Sequence, residues 1–191
     1  EVIDFYVAWG LEVVERTDDA VALRASGTDH HVLRFAKADH VGLGHIGFAS
    51  PSRAAVDDLH QAWAGKGVEI LSEPCVLTSL GGGYGFEAAD PEGRRLRVVT
   101  EMDAADPLHR PPSVPHRLSH IVLNTADIDL LCEFYVSVLG FQVSDWSEHQ
   151  MVFLRNQTDH HTIAFNQEGH ASVNHIAYEL ASLDGFLTAV G

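Results

Sequence analysis

The strongest constraint on this 191-residue chain is an internal repeat. Residues 21–49 align without gaps with residues 151–179, at a constant offset of 130 residues, as from His31 to His161. The motif Thr-Asp-His-His occurs in both segments, at 28–31 and again at the matching position. A chain that repeats a unit of this length is expected to fold as two copies of one module. Differences between the copies then point to function.

Both copies contain the same succession of segments with helical and strand-like spacing of apolar residues. Apolar residues spaced three and four apart predict helices, and short β-rich runs predict strands. The predicted helices are 1–9, 52–64, 127–138 and 183 onward; the predicted strands are 11–16, 20–25, 31–36, 43–49, 117–125, 141–146, 150–155, 161–166 and 172–180, with two more in 83–101 around an Asp-Pro-Glu-Gly turn. We predict an α+β fold of tandem β-α-β-β-β modules, which form two duplicated domains with curved, barrel-like mixed sheets.

A proline-rich segment separates the two copies. We predict an N-terminal domain at 1–102, a linker at 103–116 and a C-terminal domain at 117–191. The second copy has an opening strand that the first lacks, and the first has a closing hairpin that the second lacks. We therefore expect the first strand of the N-terminal domain and the last module of the C-terminal domain to lie outside this sequence.

Composition excludes several classes of partner. The formal net charge is −15, from 12 basic and 27 acidic residues, which argues against binding to nucleic acid or anionic membranes. No apolar run reaches the roughly 20 residues that a membrane span needs. Two cysteines are too few for a disulfide framework, so we expect a cytoplasmic protein. The 13 histidines, which occur in clusters, are the unusual feature.

Two histidines on separate predicted strands are the candidate metal ligands. His120 lies in 117–125 and His175 lies in 172–180, and imidazoles from two strands can converge on one cation. With a carboxylate they would form a facial triad of the type that holds iron(II). Either histidine taken alone is more often a hydrogen-bonded core residue. Asn124 and Asn174 could orient these ligands or cap strand ends, and Glu179 is a weaker candidate ligand.

A third histidine, His161, is the candidate acid–base residue. It precedes His175 by 14 residues, and a neutral imidazole there could accept or donate a proton. Its neighbour His160 is expected on the opposite face of the strand, unless the register differs by one residue. The pair recurs as His30-His31 in the first copy, so part of the motif is a property of the fold.

Four segments carry a resemblance to a known family: LSHIVLNTADID (118–129), FYVSVLGFQVSD (134–145), FLRNQTDHHTIAF (153–165) and VNHIAYEL (173–180). The chain resembles type I extradiol ring-cleavage dioxygenases of the vicinal oxygen chelate (glyoxalase/bleomycin-resistance) superfamily. The resemblance implies His120 and His175 as metal ligands, a third ligand glutamate expected beyond Gly191, and His161 as the catalytic acid–base. It also implies cleavage of a catechol-type aromatic diol by O2 at Fe(II), with Mn(II) as the alternative metal, in a homo-oligomer.

The first copy differs at the ligand positions. His45 matches His175, but Arg97 stands where superfamily members carry the ligand glutamate. A guanidinium cannot ligate a cation, so we expect the N-terminal domain to be metal-free and His45 to be structural. Two other functions stay open: another metal-dependent enzyme of the superfamily, such as a glyoxalase-type isomerase or epimerase, and a non-catalytic small-molecule-binding protein of the resistance type.

Overall fold

In the computed structural model, which describes residues 1–190, four consecutive strands separate each helix from the next. The helices are α1 (Val2–Ala8), α2 (Arg53–Gly65), α3 (Ile128–Ser137) and α4 (Leu183–Val190). The strands of the first half are β1 (Glu12–Arg16), β2 (Ala20–Arg24), β3 (Leu33–Ala36), β4 (Ile46–Ala49), β5 (Glu69–Val76), β6 (Tyr84–Ala89) and β7 (Arg95–Thr100). Those of the second half are β8 (Pro115–Thr125), β9 (Gln142–Ser147), β10 (Met151–Arg155), β11 (Ile163–Gln167) and β12 (Ser172–Leu180).

The strands form three sheets, in the orders β1-β2-β3, β4-β7-β6-β5 and β12-β8-β11-β10-β9. The two larger sheets are mixed, because β4 runs parallel to β7 and β11 runs parallel to β8 while their other neighbours are antiparallel. The predicted α+β class with mixed sheets is confirmed. Within residues 1–190 the sheets are open and form no closed barrel.

The two longest helices begin where side chains cap them. The Ser52 hydroxyl accepts the backbone N–H of Ala55 at the start of α2, and the Asp127 carboxylate accepts that of Leu130 at the start of α3. Helix α3 buries Ile128, Leu131 and Tyr135, which are three and four residues apart and therefore share one face.

One hydrophobic core crosses between the two copies of the repeat. Ile46 of β4 and Leu96 of β7 belong to the same buried cluster as Tyr135 of α3 and Phe165 of β11. The second cluster, which includes Phe86 of β6, likewise packs against residues of α3. The halves are thus joined by apolar packing, whose burial is the main favourable term in folding.

A buried polar turn fixes the end of β8. Arg94 donates to the Asp90 carboxylate at 3.0 Å, and both side chains are almost fully buried. Arg94 also donates to the backbone carbonyl of Asn124, and the Glu92 carboxylate accepts the hydroxyl of Thr125 at 2.9 Å. Burial of these charges is tolerated because each has a charged partner. The turn between β6 and β7 therefore positions the strand that carries His120.

Three differences from the predicted elements have physical reasons. Strand β5 was not predicted, because Pro74 interrupts its pattern; it is the edge strand of its sheet, where proline is tolerated. The His-His pairs precede β3 and β11, so the predicted strand starts at 31 and 161 were two residues early. The predicted linker also ends too late, because Pro115 and His116 already belong to β8.

Candidate metal centre

Neighbouring strands bring His120 and His175 to the same face of the five-stranded sheet. On β8 and β12, His120 lies opposite Ala177 and His175 lies opposite Val122. Side chains two residues apart on a strand share a face, and directly opposed residues share it too. The imidazole ring centroids are 5.6 Å apart. The structure therefore brings the two histidines together, and their binding of one metal ion stays a prediction.

The separation of the rings is compatible with one shared cation. An imidazole nitrogen binds a divalent transition metal at about 2.1 Å, so two rings on one ion can have centroids up to about 6.5 Å apart. The observed 5.6 Å lies within this limit. Two imidazoles on one sheet face are donors that suit iron, manganese or zinc.

The His120 ring is prepared to act as a neutral ligand. Burial lowers its pKa to about 4, and the proximity of His161 and His175 acts in the same direction. A metal competes with a proton for the same lone pair, so a low pKa leaves the nitrogen free to bind at neutral pH. The Ser119 hydroxyl lies 3.3 Å from Nδ1 of this ring.

A row of amides orients the His175 ring. Its Nδ1 is 2.9 Å from Oδ1 of Asn174, which can only accept, so Nδ1 carries the proton and Nε2 is left for a metal. The amide of Asn174 donates to Oδ1 of Asn124 at 2.9 Å, and Asn166 donates to the same oxygen at 3.0 Å. Asn124 in turn donates to the hydroxyl of Ser172. Sequence reasoning singled out Asn124 and Asn174 but missed Asn166 and Ser172, which carry no motif.

His161 completes a cluster of three imidazoles. Its ring centroid is 4.2 Å from that of His120, while its Nδ1 lies 3.0 Å from Nδ1 of His160. Burial lowers the pKa of His161, and His160 and His175 add to the shift. The ring centroid of Phe153 lies 5.0 Å from that of His161 and 5.8 Å from that of His160. Of the two adjacent histidines, His161 is thus the one that lies beside His120. We call His120, His161 and His175 the C-terminal cluster.

The remaining candidate ligand is already engaged elsewhere. The Glu179 carboxylate pairs with Arg117, which also donates to Asp159 at 2.8 Å. Within residues 1–190, no three His, Cys, Asp or Glu side chains meet in a geometry that could hold a metal ion. The residues present fit two positions of a metal site, and the glutamate predicted beyond Gly191 lies outside the described residues.

The equivalent region of the first half contains a different set of groups. The N-terminal cluster comprises His31, Arg34, His45, Glu87 and Arg97. Arg97 donates Nε and Nη2 to Oε1 of Glu87, at 2.9 and 2.6 Å. Burial lowers the pKa of His45 to about 4, with further contributions from Arg97 and Arg34. A fixed guanidinium thus lies beside the histidine that corresponds to His175.

The paired histidines have the same geometry in both halves. Nδ1 of His30 lies 2.9 Å from Nδ1 of His31, against 3.0 Å for His160 and His161. The pairing therefore belongs to the repeated fold and is not by itself a mark of catalysis.

Comparison with known families agrees with this architecture. Residues 117–189 match the family model described as the Glyoxalase/Bleomycin resistance protein/Dioxygenase superfamily. The matched region contains all three members of the C-terminal cluster. This part of the chain is therefore similar to that superfamily.

The chain is also similar to individual proteins. The chain is 26% identical over 205 residues to a metapyrocatechase of Geobacillus stearothermophilus, covering 93% of this chain and 61% of the relative. A Mn(II)-bound glyoxalase of Novosphingobium aromaticivorans is 37% identical with a TM-score of 0.89, over 97% of this chain and 62% of that one. A homoprotocatechuate 2,3-dioxygenase from Brevibacterium fuscum is 20% identical with a TM-score of 0.85, over 97% and 61%. The chain thus spans about three fifths of the length of these relatives.

None of the helices in residues 1–190 is long and apolar enough to cross a membrane.

Proposed function

We propose that this chain carries the metal-binding site of an extradiol dioxygenase, which cleaves the ring of a catechol-type aromatic diol with O2 at a mononuclear Fe(II) or Mn(II) site. The observation that carries the proposal is the proximity of three imidazoles, since the ring of His120 lies 4.2 Å from that of His161 and 5.6 Å from that of His175. The similarity to a metapyrocatechase over 93% of the chain supports the reaction class.

Each histidine has a distinct proposed task. His120 and His175 would hold the metal, which when bound supplies a Lewis acid that lowers the pKa of the diol and a redox centre for O2. His161 would accept a proton from the diol and return one to the product. Its lowered pKa suits this role, because the ring is neutral at pH 7 and can accept a proton.

The metal itself is left open between two ions. Imidazole and carboxylate ligands do not discriminate strongly between Fe(II) and Mn(II). The 37% identical structure from Novosphingobium aromaticivorans is described as Mn(II)-bound. We also expect, from the sequence, a homo-oligomer in the cytoplasm.

A glyoxalase-type isomerase is the second candidate function. It is favoured by the same Mn(II)-bound neighbour, which is a glyoxalase. Both candidates use the two metal ligands, but only the dioxygenase consumes O2 and needs a proton acceptor for a bound diol. Oxygen consumption therefore separates them.

The decisive experiment measures O2 uptake by the intact protein. The metal-free protein would be loaded anaerobically with Fe(II) or Mn(II) and mixed with catechol, 3,4-dihydroxyphenylacetate or 2,3-dihydroxybiphenyl in an oxygen-electrode cell. We expect one O2 consumed per diol and a coloured ring-opened product with at least one of them. A stable metal site with no O2 uptake across the panel would exclude the dioxygenase and favour the isomerase.

Two variants test the assignment of His161. His161→Asn should reduce kcat about 10²–10⁴-fold, the usual contribution of a general acid–base, while metal content stays unchanged. His160→Asn is the matched control, because it alters the adjacent histidine, and it should reduce kcat far less. Equal losses in both variants would contradict the proton-transfer role of His161.

A further inference from the structure

The turn between β6 and β7 holds three consecutive residues of the second half. Arg94 donates Nη2 to the backbone carbonyl of Asn124 at 2.5 Å. The Glu92 carboxylate accepts the backbone N–H of Ala126 at 2.8 Å, as well as the hydroxyl of Thr125 at 2.9 Å. The end of β8 therefore takes its position from a turn that lies outside the segment matching the family model.

The Asp90 carboxylate fixes the guanidinium that makes the first of these contacts. Its Oδ2 accepts from Nη1 of Arg94 at 3.0 Å, and its Oδ1 accepts the backbone N–H groups of Glu92 and Arg94, each at 2.9 Å. The side chain of Asp90 is fully buried and that of Arg94 is 6% exposed. Because the guanidinium is planar and rigid, fixing one nitrogen also fixes the direction of the other. Arg94 therefore presents Nη2 to Asn124 as a rigid donor.

The side chain of Asn124 connects this contact to the metal centre. Its Oδ1 accepts from Asn174 at 2.9 Å and from Asn166 at 3.0 Å, and its amide nitrogen donates to Ser172 at 2.9 Å. Two donors at the oxygen and an acceptor at the nitrogen determine which way the amide points. The orientation of Asn124 therefore decides where Asn174 is held.

Asn174 depends on this bond because it lies in a β-bulge. The register of β12 against β8 shifts between Val173 and His175, which leaves Asn174 without an opposing residue. A bulge leaves the extra residue unpaired and changes the direction of the side chains beside it. Oδ1 of Asn174 lies 2.9 Å from Nδ1 of His175. A hydrogen-bonded path thus joins Arg94 to the imidazole of His175 through two asparagines.

We propose that Arg94 of the first half is a positioning residue for the metal centre of the second half. By holding the backbone of Asn124, it keeps the amide row in the arrangement that leaves Nε2 of His175 free to bind a metal. This role rests on the proposed function, because it assumes that His175 is a metal ligand. The hairpin turn of the first half then contributes to metal binding in the second.

Two variants remove the contact while preserving the buried turn. The double variant Asp90→Asn, Arg94→Gln leaves the net charge of the turn unchanged, and a carboxamide at position 90 can still accept the backbone N–H groups of the turn. Arg94→Lys keeps the charge beside Asp90 but lacks the planar group whose two nitrogens reach Asp90 and Asn124 together. Arg95→Gln is the matched control, since its guanidinium lies on the same strand and donates to Glu87 within the first half.

The first measurement is the dissociation constant, Kd, of Mn(II) from the intact protein, obtained by competition with a chelator after circular dichroism has shown that each variant is folded. Both Arg94 variants should raise the Kd about tenfold, the lower end of the usual effect of losing a group that orients a ligand. Arg95→Gln should leave the Kd unchanged. A residue that serves only stability would lower the thermal midpoint of unfolding without changing the Kd of the folded protein.

A double-mutant cycle with Asn124→Ala tests the path itself. Asn124→Ala keeps the backbone carbonyl that Arg94 contacts but removes the amide that transmits the contact. Adding Arg94→Lys to this variant should therefore change the Kd of Mn(II) by less than about twofold, whereas independent effects would multiply.

A second readout needs neither metal nor activity. In metal-free protein that is isotopically labelled at the histidine ring nitrogens, nuclear magnetic resonance reports which nitrogen of His175 carries the proton, with the signals assigned by their loss in His175→Gln. The proton should stay on Nδ1 in the unaltered protein and in Arg95→Gln, and should exchange between the two nitrogens in Arg94→Lys. If these results are obtained but the protein consumes no O2 with any diol, the dioxygenase assignment fails and the role of Arg94 stands.

Four results would overturn the role of Arg94. They are an unchanged Kd of Mn(II) in either Arg94 variant, an equal rise of the Kd in Arg95→Gln, multiplied effects of Arg94→Lys and Asn124→Ala, and a proton that stays on Nδ1 of His175 in Arg94→Lys.

Discussion

The two histidine clusters occupy equivalent places in the repeat but differ in what surrounds the shared histidine. His45 lies beside Arg97, which Glu87 holds in place, whereas His175 lies beside His120 and is oriented by Asn174. Burial is the largest cause of the lowered pKa of both His45 and His120. Neutral imidazoles are thus common to both halves, and the halves differ in the neighbouring group, which is a guanidinium in the first half and a second imidazole in the second.

The largest expected effect is on metal content. His120→Ala and His175→Ala should each reduce bound iron or manganese from about one equivalent per chain to a small fraction, because each removes a ligand. His45→Ala, the matched change in the N-terminal cluster, should leave the metal content unchanged. Elemental analysis after gel filtration measures this. A loss of metal in His45→Ala would break the distinction between the clusters.

The second prediction concerns the connection between the halves. Arg94→Ala leaves the buried Asp90 carboxylate without its cation and should lower the free energy of unfolding by about 3–5 kcal/mol. Arg95→Ala is the control, since its half-exposed ion pair with Glu87 should contribute about 1 kcal/mol or less. Denaturant unfolding followed by circular dichroism measures both. Similar losses in the two variants would mean that the buried turn does not couple the halves.

The third prediction concerns the amide row of the C-terminal cluster. Asn124→Ala removes the oxygen that accepts from both Asn174 and Asn166, so the His175 ring loses its support. Metal affinity should fall about 10–100-fold, the usual effect of losing a group that orients a ligand. Competition with a chelator measures it, and Asn156→Ala, an exposed residue outside this row, is the control. An unchanged affinity would show that the amides only join strands.

The smallest expected effect is the pH dependence of stability in the N-terminal cluster. The pKa of His45 is about 4 in the folded chain, against 6.5 for an unperturbed histidine. Between these values the unfolded state binds more protons, so the free energy of unfolding falls as the pH drops from about 6.5 to about 4. Because the His45 ring is partly exposed, we expect it to contribute about 1 kcal/mol to this fall in the free energy of unfolding.

Comparison of two variants isolates the contribution of His45 to the pH dependence of the free energy of unfolding. His45→Gln, measured in metal-free protein by urea unfolding at pH 7 and pH 5, should lose less stability on acidification than the unaltered protein does. His109→Gln changes an exposed histidine and should behave like the unaltered protein. A His45→Gln variant with the same acid sensitivity would place the titrating groups elsewhere.

The repeat made much of this architecture predictable from the sequence. Because residues 21–49 and 151–179 align without gaps, a shared fold for the two halves followed directly. The β-rich runs at 117–125 and 172–180 predicted the strands that carry His120 and His175. The predicted bounds of β12 agree with the structure to the residue. Strand β5 was missed because a proline is compatible with a strand only at a sheet edge, which the local sequence does not reveal.

Features that depend on tertiary contacts could not be predicted in this way. The pairing of Glu179 with Arg117 removes a candidate ligand, yet it depends on the bulged register of β8 and β12. The sharing of the Glu87 carboxylate between Arg95 and Arg97 likewise depends on the register of β6 and β7. Neither is visible in a pattern of residue types.

Anomalous diffraction from crystals of the intact protein, recorded at the iron and manganese edges, tests the contrast between the clusters most directly. We predict a single peak per chain, within bonding distance of Nε2 of both His120 and His175, with no anomalous density beside His45. A metal peak at His45, or a metal bound away from His120 and His175, would contradict the account.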